Sequence, residues 1–155
     1  MTELTRAQLL DTLQHGWATY VGGFQSLSSE AQAEFLVKQG YAHFADLLAH
    51  IVAWWEEGKR VIEKLADDPD FAPPEYDVDL FNAQAVERFG SWREAAIIEA
   101  FEHMQATWLD LVARLPDDAF HNQNLAHRLR LELVAHLGEH QLPSLQSRPP
   151  GEIRS

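Results

Sequence analysis

Between residues 44 and 65 the chain sets Phe44, Leu47, Leu48, Ile51, Trp54, Trp55, Val61, Ile62 and Leu65 on one broad arc at helical period. A helix faced this way must bury the arc against other helices or a sheet. The same period recurs in three further segments. Leu9, Leu10, Leu13, Trp17 and Tyr20 mark the first. Ile97, Phe101, Met104, Trp108, Leu111, Val112 and Leu115 mark the third long helix. Leu129, Leu133 and Leu137 mark the last, which lies within about Leu125 to Leu142. No useful strand alternation, internal repeat or low-complexity block accompanies them. The expected fold class is all-α: a four-helix bundle with a long crossover between the second and third long helices.

Local signals place the boundaries. Thr5 and Gln8 fit a capping box, with Leu4 and Leu9 at the positions of a hydrophobic staple. Gly22-Gly23 is expected to end the first helix. Ser28 or Ser29 then caps a short helical piece that runs to about Lys38, before a loop at Gly40. Asp67-Asp68-Pro69 closes the second long helix. The stretch to Asp77, with Pro69, Pro73 and Pro74, reads as the crossover. Leu80 to Phe89 forms a shorter helix, which Gly90 is expected to stop in the left-handed conformation, and Ser91 with Glu94 suggests a second capping box. Pro116-Asp117-Asp118 breaks the chain again, and Pro143 limits the last helix. Residues 1–146 are expected to form a single domain, and residues 147–155 a flexible tail.

Composition narrows the function classes. A net charge of −12 argues against a phosphate-backbone binder and against anionic membrane surfaces. No run approaches the roughly 20 apolar residues of a membrane span, and the start Met1-Thr2-Glu3-Leu4 lacks the basic and apolar regions of a secretory signal. Zero cysteines exclude disulfides, thiolate ligands and a cysteine nucleophile, and are compatible with the cytoplasm. The expectation is a cytoplasmic protein with a small-molecule substrate or ligand, no nucleic-acid partner and no membrane partner.

The chemistry concentrates in Glu132-Leu133-Val134-Ala135-His136-Leu137-Gly138-Glu139-His140. His136 and His140 lie roughly 40° apart on a helix and flank the leucine stripe. Imidazoles beside a core need partners for their ring nitrogens. Two histidines at this spacing suit one zinc, nickel or iron ion, and hydrogen bonds to backbone or water are an equal alternative. A metal site wants a third ligand from another helix. His50 borders the apolar arc beside Leu47, Ile51 and Trp54 and is the best placed, though its position also allows a solvent-facing role. His43 sits at the helix start. His15 and His103 fall opposite the apolar stripes, and His121 and His127 lie in or near a loop. Glu132, one turn before His136, could orient its ring or act as a base, although a surface glutamate is the commoner case. Glu57 follows Trp54-Trp55 on the His50 side and reads as part of the solvated face; Trp54 is a core residue or a pocket wall. No phosphate loop, GxSxG elbow or HExxH pair is present.

Leu47-Leu48-Ala49-His50-Ile51-Val52-Ala53-Trp54 is similar to the second-helix signature of the DinB-like four-helix bundle superfamily, and His136-x-x-x-His140 resembles its last-helix pair. Asp79-Leu80-Phe81-Asn82 and Leu115-Pro116-Asp117-Asp118 resemble the ClbS/DfsB branch. The resemblance spans about Thr5 to Leu142, through short motifs. It implies a metal held by His50, His136 and His140. It also implies relatives that act as thiol-dependent S-transferases, as isomerases, or as self-protection proteins opening reactive rings. The ClbS/DfsB branch does not uniformly keep the triad.

Three functions follow. The first is a metal-dependent enzyme acting on a small electrophile with water or a low-molecular-weight thiol, the thiol coming from a cofactor because the chain has no Cys. The second is a non-catalytic binding or self-protection protein. The third is a stress-response bundle with a structural metal. The resemblance, and the large aromatics Trp55, Trp92 and Tyr41, further suggest a homodimer.

Overall fold

The computed structural model describes residues 4–143, and its regular structure among them is helical, with no strand. The expected tail at 147–155 and the domain boundary at 146 lie outside the described residues. No helix among the described residues is long and apolar enough to cross a membrane.

The first rod is composite. Helix α1 (Arg6–Asp11) passes into a π turn at Thr12–Gly16, a 3-10 turn at Trp17–Thr19 and helix α2 (Tyr20–Gln25). The Thr5–Gln8 capping box forms with both of its bonds, and Leu4 and Leu9 join the core. Gly22 and Gly23 do not end the rod, which runs on to Gln25. The reason is tertiary: Phe24 stacks on Phe44 with centroids 3.8 Å apart and planes 2° from parallel. That burial outweighs the roughly 1 kcal/mol that each glycine costs a helix.

Ser28 caps α3 (Ser29–Gln39) through its hydroxyl, which accepts from the Ala31 N–H, and Gly40 at φ 82° closes it in the left-handed region. The long α4 (Phe44–Asp67) follows, and the crossover after it is irregular. Asp77 caps α5 (Val78–Phe89). Gly90 is right-handed, at φ −61°, because the chain turns straight into the next cap. Arg93, without a side-chain cap bond, precedes α6 (Glu94–Arg114), so the Ser91–Glu94 box does not form. All seven apolar residues expected on the third long helix and its end are buried. A 3-10 turn at Asp117–His121 leads to α7 (Gln123–Leu129), a π turn at Arg130–Ala135 and α8 (His136–Glu139).

Helix α4 packs against α5, α6 and α7, and α1 packs against α6. Between them lies an aromatic spine. Trp17 meets Trp55 edge-on at 4.8 Å, and Trp55 stacks on Phe101 at 5.3 Å. Such pairs add about 0.5–1.5 kcal/mol each beyond their burial. Trp55 is therefore a core residue rather than a surplus surface aromatic. Trp92 is 45% exposed and Tyr41 half-buried.

The π turn in the last rod determines which side chains reach the interior. In an unbroken α-helix each step of four residues advances about 40°, so Arg128, Glu132, His136 and His140 would sweep about 120°. A π turn takes up an extra residue and sets the phase back. All four side chains consequently stay buried, while Leu137 is displaced to the half-exposed edge. Two indoles stabilise the widened turn. Trp55 Nε1 donates to the Glu132 carbonyl at 3.1 Å, and Trp17 Nε1 to the Leu133 carbonyl at 2.9 Å.

Candidate metal centre

His50 comes from the second turn of α4, and His136 and His140 from the two ends of the last helical turn. All three are buried, and one ring nitrogen from each lies within 4.8 Å of the others. His50 Nε2 is 3.2 Å from His140 Nε2 and 3.2 Å from His136 Nε2.

The outer hydrogen bonds fix two of the tautomers. Asn82 Oδ1 lies 2.7 Å from Trp54 Nε1, which can only donate, so this amide atom is an acceptor. It also lies 2.9 Å from His50 Nδ1, which must then carry its proton. Gln39 Nε2 donates to the Glu139 carbonyl at 3.1 Å, which orients that amide and presents Oε1 to His140 Nδ1 at 2.6 Å. His140 Nδ1 is thus protonated as well. Both Nε2 atoms are left as lone pairs facing each other. Two acceptors at that distance repel unless a cation lies between them.

Burial disfavours a proton in that role. Burial first, and His50 second, together lower the His140 pKa to about 4, and burial, with His140 and His50 contributing, lowers the His136 pKa to about 2. Burial also lowers His50, partly offset by the Asn82 bond. Neutral imidazoles are the form that ligates metals. Ligand nitrogens about 2.0–2.1 Å from a single octahedral or tetrahedral ion stand about 2.8–3.4 Å apart, and the 3.2 Å from His50 to each of its two partners falls within that range. The residues fit a metal ion.

The three rings border a cavity of about 440 Å³. Tyr41, Trp54, Val78 and Leu131 supply its apolar walls, and Glu132 and Glu139 also line it. Trp54 stacks on Phe81 at 3.9 Å and meets Tyr76 edge-on at 5.2 Å, so the crossover and α5 hold this wall in place. A larger hollow between the first and last rods, lined by Gly16, Gly22, Gly23 and Gly138, contains none of the three histidines.

The other histidines stay apart. His15, His43, His103, His121 and His127 are exposed, with His43 at the start of α4 and His127 within α7 rather than a loop. Glu132 departs from the commoner surface case and is only 2% exposed. Glu57 is half-buried and accepts from Arg60 at 2.6 Å and from Tyr76 at 2.6 Å. Sequence reasoning did not single out Gln39 or Arg128, and it met Asn82 only inside a motif. Nothing local marks Gln39, which closes α3 about 100 positions from its histidine. No family model, curated protein or solved structure matches the chain. The likeness to DinB-like proteins therefore rests on its short motifs and on the buried histidine cluster.

Proposed function

We propose that the chain is a DinB-like four-helix bundle that holds one divalent ion, zinc, nickel or iron, through His50, His136 and His140. In this reading it is a metal-dependent enzyme acting on a small electrophile, with water or a low-molecular-weight thiol as co-reactant. The observation that carries the proposal is the pair of acceptor nitrogens on His50 and His140, 3.2 Å apart and held there by amide oxygens behind each ring. The packing of α4 on α6 and α7, with α1 on α6, supports the bundle.

An ion bound by three neutral imidazoles supplies Lewis acidity and keeps coordination positions for small ligands. The chain's own residues do the rest. Asn82 and Gln39 orient two rings, Trp54 and Tyr41 shape the apolar wall, and the cavity admits a small molecule. Any thiol must arrive as a separate molecule, since the chain contains no cysteine. We also propose a cytoplasmic homodimer. Exposed Trp92 remains as an aromatic in favour of self-association, and sedimentation at micromolar concentration tests it.

The test is elemental analysis of protein purified without a metal-affinity tag, beside His140→Ala, followed by turnover assays with a panel of thiols and electrophiles. About one ion per chain, lost in the variant, together with metal-dependent turnover supports the enzyme. Tight binding of the electrophile without turnover favours the sequestering, self-protection reading. Absence of bound metal after incubation with zinc, nickel and iron(II) overturns the site.

A further inference from the structure

His136 differs from the other two histidines in that its outer nitrogen lacks a hydrogen-bond partner. Nδ1 of His136 is buried, whereas His50 and His140 each have an amide oxygen at the corresponding atom. Two acceptors from the preceding turn stand near it. The Glu132 carbonyl accepts from the Trp55 indole and retains a second lone pair, and the Glu132 carboxylate has Oε1 3.8 Å away. The opposite oxygen, Oε2, receives Arg128 Nε at 2.9 Å, so Oε1 is the free one.

The buried carboxylate is costly to the fold. Removing a glutamate and an arginine from water incurs a penalty that their mutual attraction often fails to recover. Arg128 even leaves Nη2 without a partner. Helix α4 has a glycine at position 58, opposite the carboxylate. A Cβ there would lie 2.7 Å from Glu132 Cγ and 2.9 Å from Oε2. Helix stability is thus given up at Gly58 to admit a charged group beside one ring of the cluster.

We infer that Glu132 is a positioning residue for His136: its Oε1, steadied by Arg128 and admitted by Gly58, closes from 3.8 Å by a small side-chain shift to accept the Nδ1–H of His136 and directs the Nε2 lone pair toward His50 and His140. The inference rests on the metal reading for its purpose, but not for its geometry. A carboxylate behind a ligating imidazole fixes the tautomer and raises ligand basicity, and its loss costs about 10–100-fold in metal affinity.

The test compares wild-type protein with Glu132→Gln and Glu132→Asp in two measurements. The first is zinc affinity by competition with a chromophoric chelator. The second is the ring 15N spectrum of His136, recorded on metal-free protein. The expected result is about 10–100-fold weaker zinc binding in Glu132→Gln, a smaller loss in Glu132→Asp, and a His136 ring that departs from a single Nδ1–H tautomer in both. If Glu132→Gln does not fold, Glu132→Asp carries the comparison, since it keeps the charge beside Arg128. Unchanged zinc affinity with an unchanged His136 tautomer overturns the inference and leaves the backbone carbonyl as the acceptor. Wild-type protein that binds no zinc, nickel or iron(II) overturns the metal reading alone. The nitrogen spectrum of the metal-free variants then still decides whether Glu132 orients the ring.

Discussion

The hydroxyl of Tyr20 donates to the backbone carbonyl of His140 at 2.6 Å, in the buried interior. The last carbonyls of a helix have no partner within it, and this one is closed by a side chain from the first rod. The contact ties the C-terminal end of the last rod, and with it one ring of the histidine cluster, to α2. Burial raises the Tyr20 pKa, so the hydroxyl keeps its proton and remains a donor.

Tyr20→Phe should therefore destabilise the protein by about 1–3 kcal/mol, the cost of leaving a buried acceptor unpaired. Equilibrium urea unfolding measures this, and a midpoint equal to wild type would show that the carbonyl finds another partner.

Asn82 serves two donors at once, His50 Nδ1 and Trp54 Nε1. Asn82→Leu should weaken zinc binding by about 10–100-fold and shift the emission of Trp54. His15→Ala and His103→Ala, at exposed positions, should leave zinc affinity unchanged. Equal affinities for Asn82→Leu and wild type would remove Asn82 from the site.

Gly58→Ala would ordinarily stabilise an α-helix by up to about 1 kcal/mol. Here the added carbon meets the Glu132 side chain at 2.7 Å, and overpacking of that kind costs about 1–3 kcal/mol. The expected outcome is a lower unfolding midpoint in Glu132 protein and a neutral or raised one when Gly58→Ala is made together with Glu132→Ala. Stabilisation by Gly58→Ala alone would mean that the carboxylate moves aside freely.

Metal-free protein should lose stability on acidification. Burial holds the folded pKa of His140 near 4 and that of His136 near 2, both below the ordinary 6.5. The unfolded chain therefore takes up protons first, and stability present above pH 6.5 falls as pH drops through the window toward 4. Glu132 acts in the opposite sense. Burial raises its pKa from 4.5 to about 7 against the pull of Arg128, so between those values the folded state holds the extra proton. Glu132→Gln should steepen the loss between pH 6.5 and 4.5. Urea midpoints measured in chelator across this range check the sign, and stability rising on acidification would contradict it.

Local pattern was sufficient for much of this protein. Helical spacing of Leu47, Ile51 and Trp55, or of Phe101, Met104 and Trp108, requires a buried face whatever lies opposite, so α4 and α6 were legible from residues alone. The Thr5–Gln8 box and the left-handed Gly40 were legible for the same reason, since caps are chemistry within four residues. His136 and His140 could be paired because their separation is set by one helix, and His50 could be placed beside an apolar arc. What no local rule contains is the π turn at Arg130–Ala135, which depends on indoles from Trp17 and Trp55 reaching carbonyls more than 70 positions away. That turn resets the helix phase, moves Leu137 outward and carries Glu132 inward. Gln39, Asn82 and Gly58 acquire their roles in the same way, because a hydrogen bond or a close approach between helices exists only after the helices have packed.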